Sequence, residues 1–134
     1  MSDTLTRIGI IAIVDDDEPL REALGSVLKA AGFSIDTFAS AEAFLDSPNR
    51  QAIACLVLDV RLPGMSGIEL QQRLIEAESR LPIIFVTAHG DASLRELVME
   101  SGAAGFLNKP VRSEALLKEI RSALQRTAPI HKMR

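Results

Sequence analysis

The sequence has no tryptophan, no tyrosine and a single cysteine among its 134 residues. One cysteine excludes an internal disulfide and a zinc site built from several thiolates, and it is typical of a protein of a reducing cytoplasm. Because aromatic side chains are so few, the core must be aliphatic, filled mainly by Leu, Ile, Val and Ala. We therefore expect Cys55 to be an inert core residue and the protein to be cytoplasmic.

Long apolar runs and an excess of basic residues are also missing. The longest runs, such as Ile8 to Val14, are far too short to span a bilayer, and the polar start from Ser2 to Arg7 is unlike a signal peptide. A net charge of −3 lacks the basic footprint of a nucleic-acid-binding domain. We expect no membrane insertion and no direct contact of this chain with nucleic acid.

Short runs rich in branched apolar residues alternate with amphipathic segments along the chain. The runs predict five strands, at Ile8–Val14, at Phe33–Phe38, around Leu56–Leu58, at Pro82–Thr87 and at Ala104–Leu107. Helical spacing predicts a helix after each strand, beginning near Pro19, Ser40, Ser66, His89 and Ser113. This alternation predicts an α/β fold, a doubly wound (βα)5 unit with a parallel sheet and helices on both faces.

The length of the chain fits one domain. We place this domain at 8–126, between a loosely ordered N-terminus at 1–7 and a C-terminal tail at 127–134. Ser66 and Glu69 form a predicted capping box at the start of the third helix, whereas Ser40 is expected to cap the second helix without one. Ser113 is expected to cap the last helix.

Polar side chains follow the strands of the predicted sheet. Asp59 ends the central strand, and the turn formers Pro63, Gly64 and Gly67 take the chain away from it. Parallel strands end at one edge of the sheet, which is where ligands bind in open α/β sheets. Five polar residues should therefore converge in one cleft: Asp15, Asp16, Asp59, Thr87 and Lys109.

Three adjacent carboxylates require either raised pKa values or a cation among them. Oxygen ligands suit Mg²⁺, which usually takes one or two carboxylates together with phosphate oxygens. Lys109 adds a positive charge and Thr87 a hydroxyl donor for a phosphoryl group. Asp59 is then the natural nucleophile for an aspartyl phosphate.

With these residues in view, the chain resembles the receiver domain of a two-component response regulator over about residues 8–126. The matching motifs are Asp15-Asp16, the run Leu58-Asp-Val-Arg-Leu-Pro-Gly-Met-Ser-Gly67, Thr87-Ala88 and Lys109-Pro110. Ser40-Ala-Glu-Ala-Phe-Leu45 and Thr87-Ala-His-Gly-Asp91 further resemble the FixJ branch of this family. The resemblance implies a flavodoxin-like strand order, 2-1-3-4-5.

The resemblance also implies a role for each site residue. Asp59 would be the phosphoacceptor; Mg²⁺ or Mn²⁺ would be held by Asp59, Asp16 and the backbone carbonyl of Arg61, and by Asp15 through water. Lys109 would pair with the phosphoryl oxygens, next to a Lys109–Pro110 bond that is often cis in the family. Thr87 and Phe106 would form a switch pair. Arg61 and His89 occupy positions that modulate the lifetime of the phosphate.

The function implied is acceptance of a phosphoryl group from a sensor histidine kinase or a phosphotransfer protein. Phosphorylation would then change a surface that a downstream protein or a second copy of the chain recognises. Since FixJ-type regulators continue into a DNA-binding domain, the chain is either a stand-alone receiver, which we favour because it starts at Met1 and ends without a linker-like run, or the receiver fragment of such a transcriptional regulator.

Two other classes remain open. An aspartyl-nucleophile phosphatase usually has a second acid two residues after the nucleophile, where this chain has Arg61. A receiver-like domain that binds its partner constitutively would not need the full set of acids, hydroxyl and lysine. Two of the residues could also have purely structural roles, Phe106 as a core residue and His89 as an exposed loop residue.

Overall fold

The computed structural model describes residues 9–88 and 90–126, in which five strands alternate with five helices. The strands are β1 (Ile10–Val14), β2 (Ser34–Phe38), β3 (Ile53–Asp59), β4 (Ile83–Thr87) and β5 (Gly105–Asn108). The helices are α1 (Glu18–Ala30), α2 (Ala41–Leu45), α3 (Gly67–Glu76), α4 (Ala92–Glu100) and α5 (Ser113–Arg126), with a 3-10 turn at Arg50–Ala52. Within the described ranges, no helix combines the length and apolar character needed to cross a bilayer.

The five strands form one parallel sheet in the order β2-β1-β3-β4-β5, which confirms the predicted fold class and strand order. Adjacent strand ends are in register, because Val14 pairs with Leu58, Asp59 with Val86 and Thr87 with Asn108. The carboxyl ends of β1, β3, β4 and β5 therefore lie side by side along one edge of the sheet.

Both faces of the sheet are covered by helices. Side chains of β3 alternate between the faces, with Leu56 and Leu58 in one core and Cys55 and Val57 in the other. The first core includes buried residues of α2, α3 and α4, and the second includes those of α1 and α5. Burial raises the pKa of the Cys55 thiol to about 12, so this cysteine stays protonated in the core.

Side-chain caps fix where the helices begin. Ser66 and Glu69 form the predicted capping box of α3, and Ser40 caps α2 alone by accepting from the amide of Ala43. The prediction that Ser113 caps the last helix was one residue off, because α5 begins at Ser113 itself. The predicted start of β1 at Ile8 lies outside the described residues, as do the segments 1–7 and 127–134.

Gly67 joins the first turn of α3 to the end of β3. Its amide donates to the carbonyl of Val60 at 2.9 Å, and a Cβ atom at this position would overlap the carbonyl oxygen of Asp59. A glycine is therefore required where the helix approaches the backbone of the central strand.

We predict that Gly67→Ala lowers the free energy of unfolding by about 1–3 kcal/mol, because the added methyl group must displace the backbone at Asp59. Urea denaturation measures the change, with Gln72→Ala on the exposed side of α3 as the control. A Gly67→Ala variant as stable as the wild type would contradict this close packing.

Candidate functional site

The residues that bear the chemistry lie at the carboxyl edge of the sheet. Asp15 directly follows β1, Asp59 is the last residue of β3, Thr87 is the last residue of β4, and Lys109 directly follows β5. The structure thus brings together at one edge residues that are up to 94 positions apart in the sequence.

Asp15, Asp16 and Asp59 form an acidic cluster. Each carboxylate offers an oxygen that lies within 4.8 Å of the other two. Asp15 and Asp59 are buried, with 2% and 6% of their surface exposed, whereas Asp16 is exposed. The cluster therefore has two buried acids at its base and one acid that faces solvent.

Lys109 bridges the two buried acids. Its Nζ lies 2.9 Å from Oδ2 of Asp15 and 3.1 Å from Oδ2 of Asp59. The backbone amide of Lys109 donates to the carbonyl of Thr87 at 2.9 Å, and the Lys109–Pro110 peptide bond is cis. The ammonium group is thus held at the base of the cleft by both its side chain and its backbone.

Burial and neighbouring charges shift the pKa values of this pair. Burial raises the pKa of Asp59, the charge of Asp15 raises it further, and Lys109 together with the amide of Arg61 only partly offsets these effects. Burial by itself lowers the pKa of Lys109, but its hydrogen bonds to the two carboxylates outweigh this and raise the pKa overall. The ionised form of Asp59 is therefore incompletely compensated by the protein alone.

The remaining carboxylate oxygens of the buried acids accept backbone hydrogen bonds. Oδ1 of Asp15 accepts from the amide of Asp17 at 2.9 Å, and Oδ1 of Asp59 accepts from the amide of Arg61 at 3.2 Å. Both oxygens of Asp15 are thus already engaged. The cluster offers only oxygen ligands, carries uncompensated negative charge and has one carboxylate that faces solvent. These features suit a hard divalent cation such as Mg²⁺.

The other predicted site residues take different positions. Thr87 is 1% exposed, and the side chain of Arg61 faces solvent. Phe106 is 8% exposed and lies in the core beneath Gly90, where a Cβ atom would come within 2.6 Å of the ring. Phe106 pairs with Phe85 two residues before the end of β4, so its ring lies near the strand that carries Thr87. His89 lies outside the described residues.

Glu42 has a contact that sequence reasoning missed. The sequence places it in the first turn of α2, but its Oε2 accepts from the amide of Met65 at 2.8 Å, and this bond lowers the pKa of the carboxyl. Glu42 also lies against Gly64, whose φ of 76° is in the left-handed region. Glu42 thereby ties α2 to the loop after Asp59. No local pattern signals a contact across 23 residues.

Comparison with known proteins assigns the family. The profile of the response regulator receiver domain matches residues 11–121. The response regulator protein TodT of Pseudomonas putida is 45% identical over 119 residues, which are 89% of this chain and 52% of TodT. The transcriptional regulatory protein FixJ of Bradyrhizobium diazoefficiens is 40% identical over 128 residues, 96% of this chain and 62% of FixJ.

Two solved structures share the fold. The crystal structure of FixJ-N has a TM-score of 0.80 at 35% identity and covers 90% of this chain and 97% of its own. The response regulator StyR has a TM-score of 0.83 at 44% identity, covering 92% of this chain and 63% of its own. The chain spans about half the length of TodT and most of FixJ-N. It belongs to the response regulator receiver domains and is FixJ-like, as its motifs predicted.

Proposed function

We propose that this receiver domain accepts a phosphoryl group on Asp59 in a reaction that depends on Mg²⁺, and that it catalyses both this transfer and the later loss of the phosphate. The observation that carries the proposal is the Lys109 ammonium, which lies within 3.1 Å of a carboxylate oxygen of Asp59 inside a three-acid cluster. One lysine does not balance three carboxylates, and a divalent cation would offset the remaining negative charge.

The candidate metal ligands differ in how exposed and how strongly hydrogen-bonded their oxygen atoms are. Asp16 is exposed, and the structure describes no hydrogen-bond partner for its side chain, so it is the natural direct ligand together with Asp59 and the carbonyl of Arg61. Asp15 and Asp59 both have two engaged oxygens, but the bonds to Asp15 are shorter, 2.9 Å each against 3.1 and 3.2 Å, so Asp15 is better suited to act through water. Bound Mg²⁺ or Mn²⁺ would supply positive charge for the equatorial oxygens of the phosphoryl group.

The transfer uses the carboxylate of Asp59 as the nucleophile. A carboxylate oxygen forms a bond to phosphorus while the phosphorus–nitrogen bond of a phosphohistidine breaks, and the leaving imidazole takes a proton from solvent. Lys109 stabilises the charge on the phosphoryl oxygens. In the later hydrolysis, water attacks the same phosphorus and releases inorganic phosphate and the Asp59 carboxylate.

Thr87 and Phe106 are the proposed switch residues. Thr87 ends the strand next to Asp59, and the ring of Phe106 lies on the adjacent strand. A phosphoryl group that draws in the Thr87 hydroxyl would change the packing available to this ring. Arg61 and His89 are the proposed modulators of the phosphate lifetime, since they follow the acceptor and the threonine by two positions.

Receiver domains of response regulators interact with histidine kinases and downstream effectors. For this chain we propose a sensor histidine kinase or a phosphotransfer protein as phosphoryl donor, and a downstream protein or a second copy of the chain as reader, in the cytoplasm. The receiver of a FixJ-type transcriptional regulator is equally compatible with the site. An aspartyl phosphatase is less so, because the residue two positions after Asp59 is Arg61, with an exposed side chain.

Phosphoryl uptake tests the acceptor assignment. We predict that acetyl phosphate adds one phosphoryl group to the wild type only when Mg²⁺ is present, and that Asp59→Asn abolishes the adduct because it removes the nucleophile. Intact-mass spectrometry detects the adduct, and Asp36→Asn on β2 is the control that keeps full uptake. Equal uptake by the Asp59→Asn variant would refute the assignment.

The stability of the folded protein provides a second test, of the uncompensated charge on Asp59. The pKa of Asp59 is higher in the folded than in the unfolded protein, so folding is penalised once the pH rises above the unfolded value of about 4. We predict that, without metal at pH 7, Asp59→Asn has a higher free energy of unfolding than the wild type. The difference should disappear when the pH is lowered below the unfolded pKa.

Urea denaturation in EDTA and in Mg²⁺ measures this effect. Saturating Mg²⁺ should stabilise the wild type more than Asp59→Asn, because a ligand stabilises only the folded state that binds it. An Asn variant that is less stable than the wild type in EDTA at pH 7 would show that Lys109 already compensates the carboxylate fully.

A further inference from the structure

Arg21 reaches the acidic cluster from the end of the first turn of α1, and none of the proposed roles involves it. Its Nη1 donates to the backbone carbonyl of Asp15 at 2.6 Å, six residues back along the chain. Arg21 is half-buried, and it forms no ion pair with any residue that the structure describes. Its specific contact is therefore with a backbone oxygen rather than with one of the three nearby carboxylates.

The carbonyl that Arg21 holds belongs to the peptide that joins Asp15 to Asp16. Asp15 is fixed on its other sides, since its amide donates to the carbonyl of Phe38 at 3.1 Å and both its carboxylate oxygens accept hydrogen bonds. The Asp16 side chain has no hydrogen bond within 9–88 and 90–126 and faces solvent, so Asp16 is held only through the peptides on either side of it. The peptide after Asp16 is held by the Asp17 amide, which donates to Asp15, and the peptide before it is held by Arg21, so the orientation of the Asp16 carboxylate depends in part on the Arg21 contact.

We propose that Arg21 is a positioning residue of the cation site. Its hydrogen bond to the Asp15 carbonyl fixes the Asp15–Asp16 peptide, which keeps the Asp16 carboxylate close to Asp59 despite the repulsion between the two charges. A hydrogen bond from a guanidinium is charge-assisted and strong enough for this task. The inference rests on the proposed function, because it assumes that Asp16 binds a divalent cation.

A competing explanation is that Arg21 acts only through its positive charge. The two explanations predict opposite changes in metal affinity. A cation near the cluster repels Mg²⁺, so removing a pure charge should strengthen Mg²⁺ binding, most of all at low salt. Removing a positioning contact should instead weaken binding at every salt concentration, as is typical when a residue that supports a metal ligand is lost.

The test is a titration of the full chain with Mg²⁺ by isothermal calorimetry at low and high salt. Arg21→Met keeps an apolar stem but loses the donor, and we expect it to bind Mg²⁺ about 10-fold more weakly than the wild type. Lys29→Met removes the same charge from the last turn of the same helix and should bind like the wild type. An Arg21→Met variant that binds as tightly as the wild type, or more tightly, would overturn the inference.

The outcomes separate this inference from the proposed function. A wild type that binds no Mg²⁺ would refute the proposed metal site itself. If the wild type and Arg21→Met bind Mg²⁺ equally well, only the role of Arg21 is refuted. Thermal unfolding in EDTA checks that the variant is folded.

If Arg21→Met does not fold, NMR of the wild type tests the role of Arg21 instead. The guanidinium protons of Arg21 should be protected from exchange with water both without and with Mg²⁺. Loss of this protection on Mg²⁺ binding would contradict a positioning role, because the contact would be absent from the state it is proposed to support.

Discussion

The ammonium group of Lys109, held between Asp15 and Asp59, is the interaction on which the rest of this site depends. Two buried carboxylates at the same edge of a sheet repel each other and lose hydration, and a lysine from the loop after β5 offsets part of this cost. The raised pKa of Asp59 shows that the offset is incomplete. A cleft that stays short of positive charge is suited to bind a cation and then a phosphoryl group.

The fold supplies this arrangement through the geometry of parallel strands. All five strands end on one side, and the register places the last residues of β3 and β4 beside each other. Buried apolar side chains on both faces of the sheet hold the strands together. The polar residues at the strand ends are therefore not needed for the core and can serve the functional site. Gly67 then lets α3 begin against the backbone of Asp59, with its amide bonded to the carbonyl of Val60.

The sequence was informative wherever a feature is periodic or local. Alternating apolar runs predicted the five strands, and a serine followed three residues later by glutamate predicted the capping box that begins α3. Strand ends predicted which side chains gather in the cleft, because parallel strands share an edge. The predicted starts of several elements differ from the observed ones by one to three residues, as at Ser34 and Ala92, because backbone hydrogen bonds as well as side-chain patterns decide where an element begins.

Contacts between distant side chains and backbone groups could not be predicted in this way. The residues around Asp15 and Asp16 do not show which of the two is buried, since the lysine that pairs with Asp15 lies 94 residues later. The same holds for Glu42, whose bond to Met65 links α2 to the loop after Asp59. Arg21 is close in sequence to its acceptor, but the sequence does not show that the loop after β1 brings the Asp15 carbonyl within reach of a side chain in the first turn of α1.

The most direct measurement is an NMR titration of the aspartate side-chain carboxyl carbons, with and without Mg²⁺. The account predicts that without metal the pKa of Asp59 lies above the ordinary aspartate value of about 3.9, and that Mg²⁺ lowers it by favouring the ionised form. An Asp59 carboxyl that titrates at its ordinary pKa and does not respond to Mg²⁺ would contradict the central claim that this cleft is short of positive charge and built to receive a cation.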